Sequence, residues 1–289
     1  MVSVAQKTLL FIFLIFSFSI LEMQDRANAK TGSIYKSESL IYKVSLNGVN
    51  IGDAVISYTP NKKDKTYKFL ARAETKGFMS KLYKINDTIT VYGDLKGQSL
   101  EPRTHSIILK ENKYRASRTA QTDYKLDLLK ITNNRKKTSD TFILLDKAKD
   151  ILSTLYTLRF NTDLKVLKET TTFNKTIQFA HKTVKNDIKV TAEYNFNIND
   201  EKRIKARNVI ITSQRLKLIP LNELKIKEIK TKEKKSADFI EESINTKKKY
   251  KKEQNIKVVI TSDEKKIPLI IEYATKYGKF KAVLKDYKK

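Results

Sequence analysis

His105 and His181 are the only imidazoles in the chain, and cysteine and tryptophan are absent. The two histidines stand far apart in sequence with no companions at metal-ligand spacing. Each reads as an ordinary strand or surface residue, and no metal and no cofactor is expected. There is no Gly-rich phosphate loop, no G-x-S-x-G elbow and no H-E-x-x-H helix. Ser153 would need a neighbouring base to act as a nucleophile, and the sequence places none beside it. A first-turn Ser that helps satisfy free helix amides is the better account. Asp263 and Glu264 are adjacent, so in a strand they face opposite ways and in a turn both reach water. That argues against paired acid–base work. Arg159 is the polar group that stands out, with Tyr156 one helical turn before it; the two are the candidate ligand-binding residues. Held within a concave sheet, the guanidinium could meet a lipid phosphate or carboxylate at a cavity mouth. Helix-end capping and an internal salt bridge are the alternatives.

The elements that must position these groups are mostly strands. Leu40, Tyr42, Val44 and Leu46 alternate with polar residues, the period of a half-buried strand. Asn47-Gly48 follows, a hairpin signal because both residues tolerate positive φ. Val49 to Tyr58 returns as the next strand, and Gly52 inside it marks a bulge or a close backbone approach. Pro60 to Lys65 reads as a turn. Further strands are read over Tyr67–Glu74, Tyr83–Tyr92, Ser106–Lys110 and Tyr114–Tyr124, with turns at Gly93-Asp94, Gly97 and Glu101-Pro102. The tyrosines and phenylalanines of this half form either a stacking platform or core and cross-strand pairs. Strands resume at Lys168–Phe179, Thr183–Asn197 and Arg207–Ser213. Near the C-terminus Ile256, Val258 and Ile260 form one face, Pro268 opens the next strand, and Gly278 closes a tight turn before Phe280, Ala282 and Leu284.

DILSTLYTLRF (150–160) is the exception. Asp150 can cap a helix through its carboxylate, and the apolar residues that follow cover most of the circumference. Such a helix is surrounded by other structure. The expected fold is mainly β: a single curved antiparallel sheet, or a partly open barrel or sandwich, wrapping this one central helix.

Residues 1–29 read as a signal peptide. Lys7 precedes an apolar run of 13 residues from Leu9 to Leu21, broken only by Ser17 and Ser19, and Ala27-Asn28-Ala29 offers the small-x-small cleavage pattern. Cleavage is expected after Ala29, giving a periplasmic protein; an uncleaved anchor is the alternative. A spanning helix needs roughly 20 apolar residues, so no transmembrane span is expected in the mature chain. Residues 30–289 read as one domain. Within it, residues 225–254 form an insertion with 11 lysines against 6 acids. The chain carries a net charge of +27, which attracts polyanions. Outside the cytoplasm these are anionic lipids, lipopolysaccharide or acidic glycans. The export signal argues against nucleic acid, and compositional bias toward lysine is the bland alternative.

Three blocks carry a family resemblance. ESLIYKVSLNGVNIGDAVISY resembles the opening hairpin of the bacterial family called domain of unknown function 3108. AKDILSTLYTLRF is similar to that family's central helix, in which an Asp and a Ser precede an aromatic and an Arg. TSDEKKIPLIIEYATKYGKFKAVL resembles its closing segment, an acidic turn and a Pro before a Gly-containing hairpin. Val259-Ile260 stands where the family has a Trp, and the lysine-rich insertion is unusually long. The resemblance implies an exported, mostly-β envelope protein without an established activity. The function expected is non-enzymatic binding of an anionic or lipidic envelope component, in or on the curved sheet. A protein-interaction module of an envelope assembly, with an envelope protein as partner, is the alternative, and a glycan-acting enzyme is the weakest reading.

Overall fold

The computed structural model describes residues 34–97, 99–145, 148–161, 171–179, 182–199, 202–216, 220, 254–263, 265–275 and 278–289. The signal segment and its cleavage site, all but the last residue of the insertion at 225–254, His181 and Glu264 lie outside the described residues.

Sixteen strands form one sheet. In chain order they are β1 (Glu38–Leu46), β2 (Val49–Asn61), β3 (Thr66–Thr75), β4 (Asn86–Lys96), β5 (Ser99–Glu111), β6 (Tyr114–Asp123), β7 (Leu128–Asn133) and β8 (Thr138–Ile143). Then come β9 (Lys149–Asp150), β10 (Thr171–Phe179), β11 (Lys182–Val190), β12 (Tyr194–Asn199), β13 (Lys202–Leu216), β14 (Gln254–Thr261), β15 (Pro268–Thr275) and β16 (Gly278–Lys288). Helix α1 (Gly77–Leu82) joins β3 to β4, and helix α2 (Ile151–Asn161) follows β9. The strand order runs β8-β7-β6-β5-β4-β3-β2-β1-β16-β15-β14-β13-β11-β10-β9, with β12 paired to β13 off this path. Neighbours are antiparallel except β9 with β10. The sheet is open, so its termini are β8 and β9, and a single bridge from Phe142 to Pro220 reaches β8 from beyond β13.

This is the mainly-β sheet around a helix that the alternation predicts. Leu40, Ile56, Ala71, Ile89 and Ile107 face one another across β1 to β5 and are all buried. Their partners one residue away face outward, because side chains alternate across the sheet. On that outer face hydroxyls pair across strands, as in Ser106 with Thr119 at 3.1 Å. Inside, Ile151, Leu152, Leu155 and Tyr156 of α2 are each no more than 2% exposed. Burying one such side chain contributes roughly 1.5–3 kcal/mol, so the helix is held by packing and not by propensity.

Several local readings need correction. Gly93-Asp94 lies inside β4, where a register shift follows Tyr92, and Glu101-Pro102 lies inside β5; the turn between them is at Gly97. Pro60 likewise belongs to β2. The segment Tyr83–Tyr92 becomes strand only from Asn86, after the unanticipated α1. Thr183–Asn197 is two strands, and β7 and β8 had no counterpart in the alternation. Polar outward faces and register shifts dilute a period-two signal, which is why these boundaries moved.

The turns at one sheet edge interlock. Asn47 and Gly48 take φ of 50° and 84°, as a two-residue hairpin demands. The Asn47 N–H donates to the Lys279 carbonyl at 2.9 Å, and the Lys279 N–H donates to Asn47 Oδ1 at 2.8 Å. Gly278 (φ +131°) leaves room for this clasp, since a Cβ there would lie 2.2 Å from Asn47 Oδ1. Gly52 marks both features expected of it. The register slips beside it, and a Cβ would lie 2.0 Å from the Glu74 carbonyl oxygen.

Candidate functional site

The chemistry-bearing side chains gather at the two ends of α2. At its N-terminal end Asp150 caps the helix: Oδ1 accepts the N–H of Leu152 at 2.8 Å and of Ser153 at 3.1 Å. The Ser153 hydroxyl is fully buried and pairs with the Tyr67 hydroxyl at 2.6 Å, not with a base. His105 points inward from β5 toward the same end and is 3% exposed. Neither of its ring nitrogens has a partner among the described residues, and Asp150 Oδ2 is also unpartnered. Burial pushes the His105 pKa down, against the pull of the Asp150 charge. Sequence reasoning gave His105 no role. Its inward direction was nonetheless readable, because it shares parity with Ile107 and Leu109.

At the C-terminal end the side chains form a polar node. Arg159 forms a fork–fork pair with Glu38, from the start of β1, and its Nε and Nη2 donate to the Lys265 carbonyl at 3.2 and 3.1 Å. The guanidinium lies 4.7 Å from the Tyr156 ring centroid, a cation–π contact. Tyr287 donates its hydroxyl to Glu38 Oε2 at 3.0 Å. Burial is the largest influence and pushes the Glu38 carboxyl up, but the Arg159 charge and the hydrogen bonds to the carboxylate together outweigh it and hold the group below the ordinary carboxylate range. The turn after β14 completes the node. Asp263 accepts the Lys266 N–H at 3.2 Å, and Lys266 Nζ reaches back to the Arg159 carbonyl at 2.9 Å, a cation at the negative helix pole. Pro268, the first residue of β15, accepts the Tyr42 hydroxyl at 3.0 Å. The structure therefore brings Arg159, Tyr156, Asp263 and Pro268 together with Glu38. Asn47, Gly48, Gly52 and Gly278 sit at the opposite edge.

Between the two poles lies an aromatic stack. Tyr156 sits 4.5 Å from Phe69, 5.1 Å from Tyr58 and 5.7 Å from Phe160, centroid to centroid. Of the two sequence readings for the aromatics, these five rings (with Tyr67) belong to the core.

A pair of buried acids lies on the inner face of β4 and β5. Asp87 (0% exposed) and Glu111 (1%) point inward from β4 and β5. Asp87 Oδ1 accepts the Lys110 N–H at 2.6 Å, and Tyr83 donates to Glu111 Oε2 at 3.2 Å. Burial pushes Asp87 up to about 7 and Glu111 up to about 8. The sequence analysis missed this pair, although Asp87 shares parity with Ile89 and Val91. Among the described residues no group of three or more metal-ligating side chains occurs, and no helix is long and apolar enough to cross a membrane.

The fold and this interior define one open, mostly antiparallel β sheet packed around a buried helix that Asp150 caps at one end and Lys266 at the other. A family model described as Protein of unknown function (DUF3108) matches residues 41–285, so the chain belongs to that family. It is similar to the crystal structure of a beta-barrel-like protein of domain of unknown function DUF1849 from Brucella abortus. That likeness has a TM-score of 0.52 at 10% identity and covers 88% of this chain and 98% of the other. No curated protein matches the chain.

Proposed function

We propose that this chain is an exported, non-enzymatic envelope protein that binds polyanionic envelope material, anionic lipid or acidic glycan, on the outside of its shell. The net charge of +27 is the observation that carries this reading. Two features support the outer surface over the interior. Arg159, the cation beside α2, is already engaged by Glu38 and the Lys265 carbonyl. Lys43, Lys110 and Lys130, by contrast, project from the outer face, exposed and without an ion pair among the described residues. Export rests on the apolar leader and the Ala27-Asn28-Ala29 pattern. A protein-interaction role is favoured by one observation: β8 ends the open sheet, and an edge strand whose free side carries only the Phe142–Pro220 bridge among the described residues can accept a partner's strand.

The test is salt-dependent binding. Protein expressed with its own leader is titrated into phosphatidylglycerol vesicles, phosphatidylcholine vesicles and a soluble acidic glycan. Strong binding to at least one anionic partner is expected at about 50 mM salt, fading toward about 300 mM as exposed charges are screened. Equal binding to neutral vesicles, or no binding to any polyanion, overturns the reading. Native mass spectrometry of the gently purified protein adds the remaining distinction. A copurifying lipid places binding inside the shell, and a stable protein partner favours the interaction role.

A further inference from the structure

Helix α1 turns Phe78 and Leu82, two of its three large apolar residues, away from the core. Met79 and Tyr83 pack against the core, which already fills its inner side. Phe78 and Leu82, four residues apart and hence on one helix face, are 70% and 60% exposed. Val49, at the start of the neighbouring β2, is 61% exposed. Single exposed apolar residues need no explanation, but a Phe–Leu ridge on so short a helix does.

The ridge is rigidly mounted. The Lys76 N–H donates to the Ile51 carbonyl at 3.2 Å, fixing α1 to β2. Thr75 brackets the far end, donating its hydroxyl to the Tyr83 carbonyl at 3.0 Å and accepting the Ile85 N–H at 2.9 Å. Asn112 exchanges two bonds with the Lys84 backbone, at 2.7 and 2.8 Å. A six-residue helix is not stable by itself, so these contacts are what present Phe78 and Leu82 to solvent.

The charge around the ridge selects its partner. Lys76 is paired with both Asp53 at 2.7 Å and Glu74 at 3.2 Å, which leaves that cluster with one surplus negative charge. The carboxyls of Asp87 and Glu111 are buried. That leaves Lys81, Lys84 and Lys113 exposed and without an ion pair among the described residues. An aromatic and a leucine pointing outward among free lysines match a bilayer interface. The rings and branched chains enter the acyl boundary while the ammonium groups meet phosphates.

We infer that α1 is a membrane-docking tip, with Phe78 and Leu82 inserting into the interface of an anionic bilayer and Lys81, Lys84 and Lys113 engaging its head groups. This rests on the reading of the chain as a binder of anionic envelope material and narrows that material to a lipid surface.

The full chain and a Phe78→Ser/Leu82→Ser variant are compared by flotation with phosphatidylglycerol–phosphatidylcholine vesicles and, in parallel, by binding to soluble dextran sulfate. The variant is expected to lose vesicle affinity by about tenfold or more while binding dextran sulfate like the parent. Vesicle binding equal to the parent overturns the inference, as does a parent that binds dextran sulfate but no vesicle. A parent that binds neither overturns the broader reading as well. The absence of native tryptophan makes Phe78→Trp a clean second probe. Its emission is expected to shift to shorter wavelength on vesicle addition, and an unshifted, fully hydrated spectrum on bound protein overturns insertion.

Discussion

Replacing Glu38 with Gln leaves the Arg159 guanidinium in the interior without its anion. The two side chains are only 9% and 5% exposed, so water cannot take the place of the carboxylate. Removing one partner of a buried pair costs about 3–5 kcal/mol, a large part of the 5–15 kcal/mol that stabilises a typical domain. Arg159→Met removes the cation–π contact with Tyr156 and orphans Glu38 instead, at a similar cost. In the double variant neither charge remains, so the losses do not add, and a coupling of about 2–3 kcal/mol is expected. Urea unfolding of the four proteins, followed by circular dichroism, measures it. A pH series adds a signature. The folded-state value of Glu38 lies below its unfolded value of about 4.3. Its contribution is therefore complete above that unfolded value and is lost as pH falls through the lower folded one. The parent should lose more stability on acidification below about pH 4 than Glu38→Gln does. A coupling within about 0.5 kcal/mol of zero, the spread of independent sites, would refute the structural role assigned to this pair.

Asp87 and Glu111 should act in the opposite direction on the pH axis. Their folded values are raised, so their contribution is complete below about pH 4 and declines as pH rises through about 7 and 8. For Asp87 alone that amounts to on the order of 4 kcal/mol, and Asp87→Asn/Glu111→Gln should flatten the decline in a denaturation series from mildly acid to alkaline pH. Tyr156 separates ring from hydroxyl. Its hydroxyl lies near the Glu38 carboxylate but makes no hydrogen bond of ordinary geometry among the described residues, so Tyr156→Phe should change stability by no more than about 1 kcal/mol. Tyr156→Ala should cost about 3–5 kcal/mol; equal effects of the two would contradict the stacking described. Gly278→Ala should cost about 1–3 kcal/mol through its positive φ and the collision with Asn47, read as a lowered urea midpoint. Asn47→Ala in that background should then add little.

The shell was legible because burial imposes period two wherever one face is dry. Leu40-Tyr42-Val44 and Phe280-Ala282 declare their inner face without help from any other segment. The buried helix was legible because DILSTLYTLRF is apolar around most of its girth and opens on a capping Asp. Glu38 was not legible as the partner of Arg159, since the two are 121 residues apart in sequence and meet only in the folded sheet. The Asp87–Glu111 pair was obscured by the habit of assigning acids to the wet face, although parity with Ile89 and Leu109 places both inside. Helix α1 escaped because its exposed Phe78 and Leu82 imitate a core signal, while the contacts that hold it come from Ile51 and Asn112, remote in sequence.

The most direct measurement is the affinity for anionic vesicles of Arg159→Met, taken well below its melting temperature, beside that of Lys81→Glu/Lys84→Glu. If the interior is structural and the outer surface binds, Arg159→Met melts early yet binds vesicles like the parent, and the lysine variant melts normally yet binds at least several-fold more weakly. Weakened binding by folded Arg159→Met, with the lysine variant unaffected, would contradict this and return the binding site to the interior of the shell.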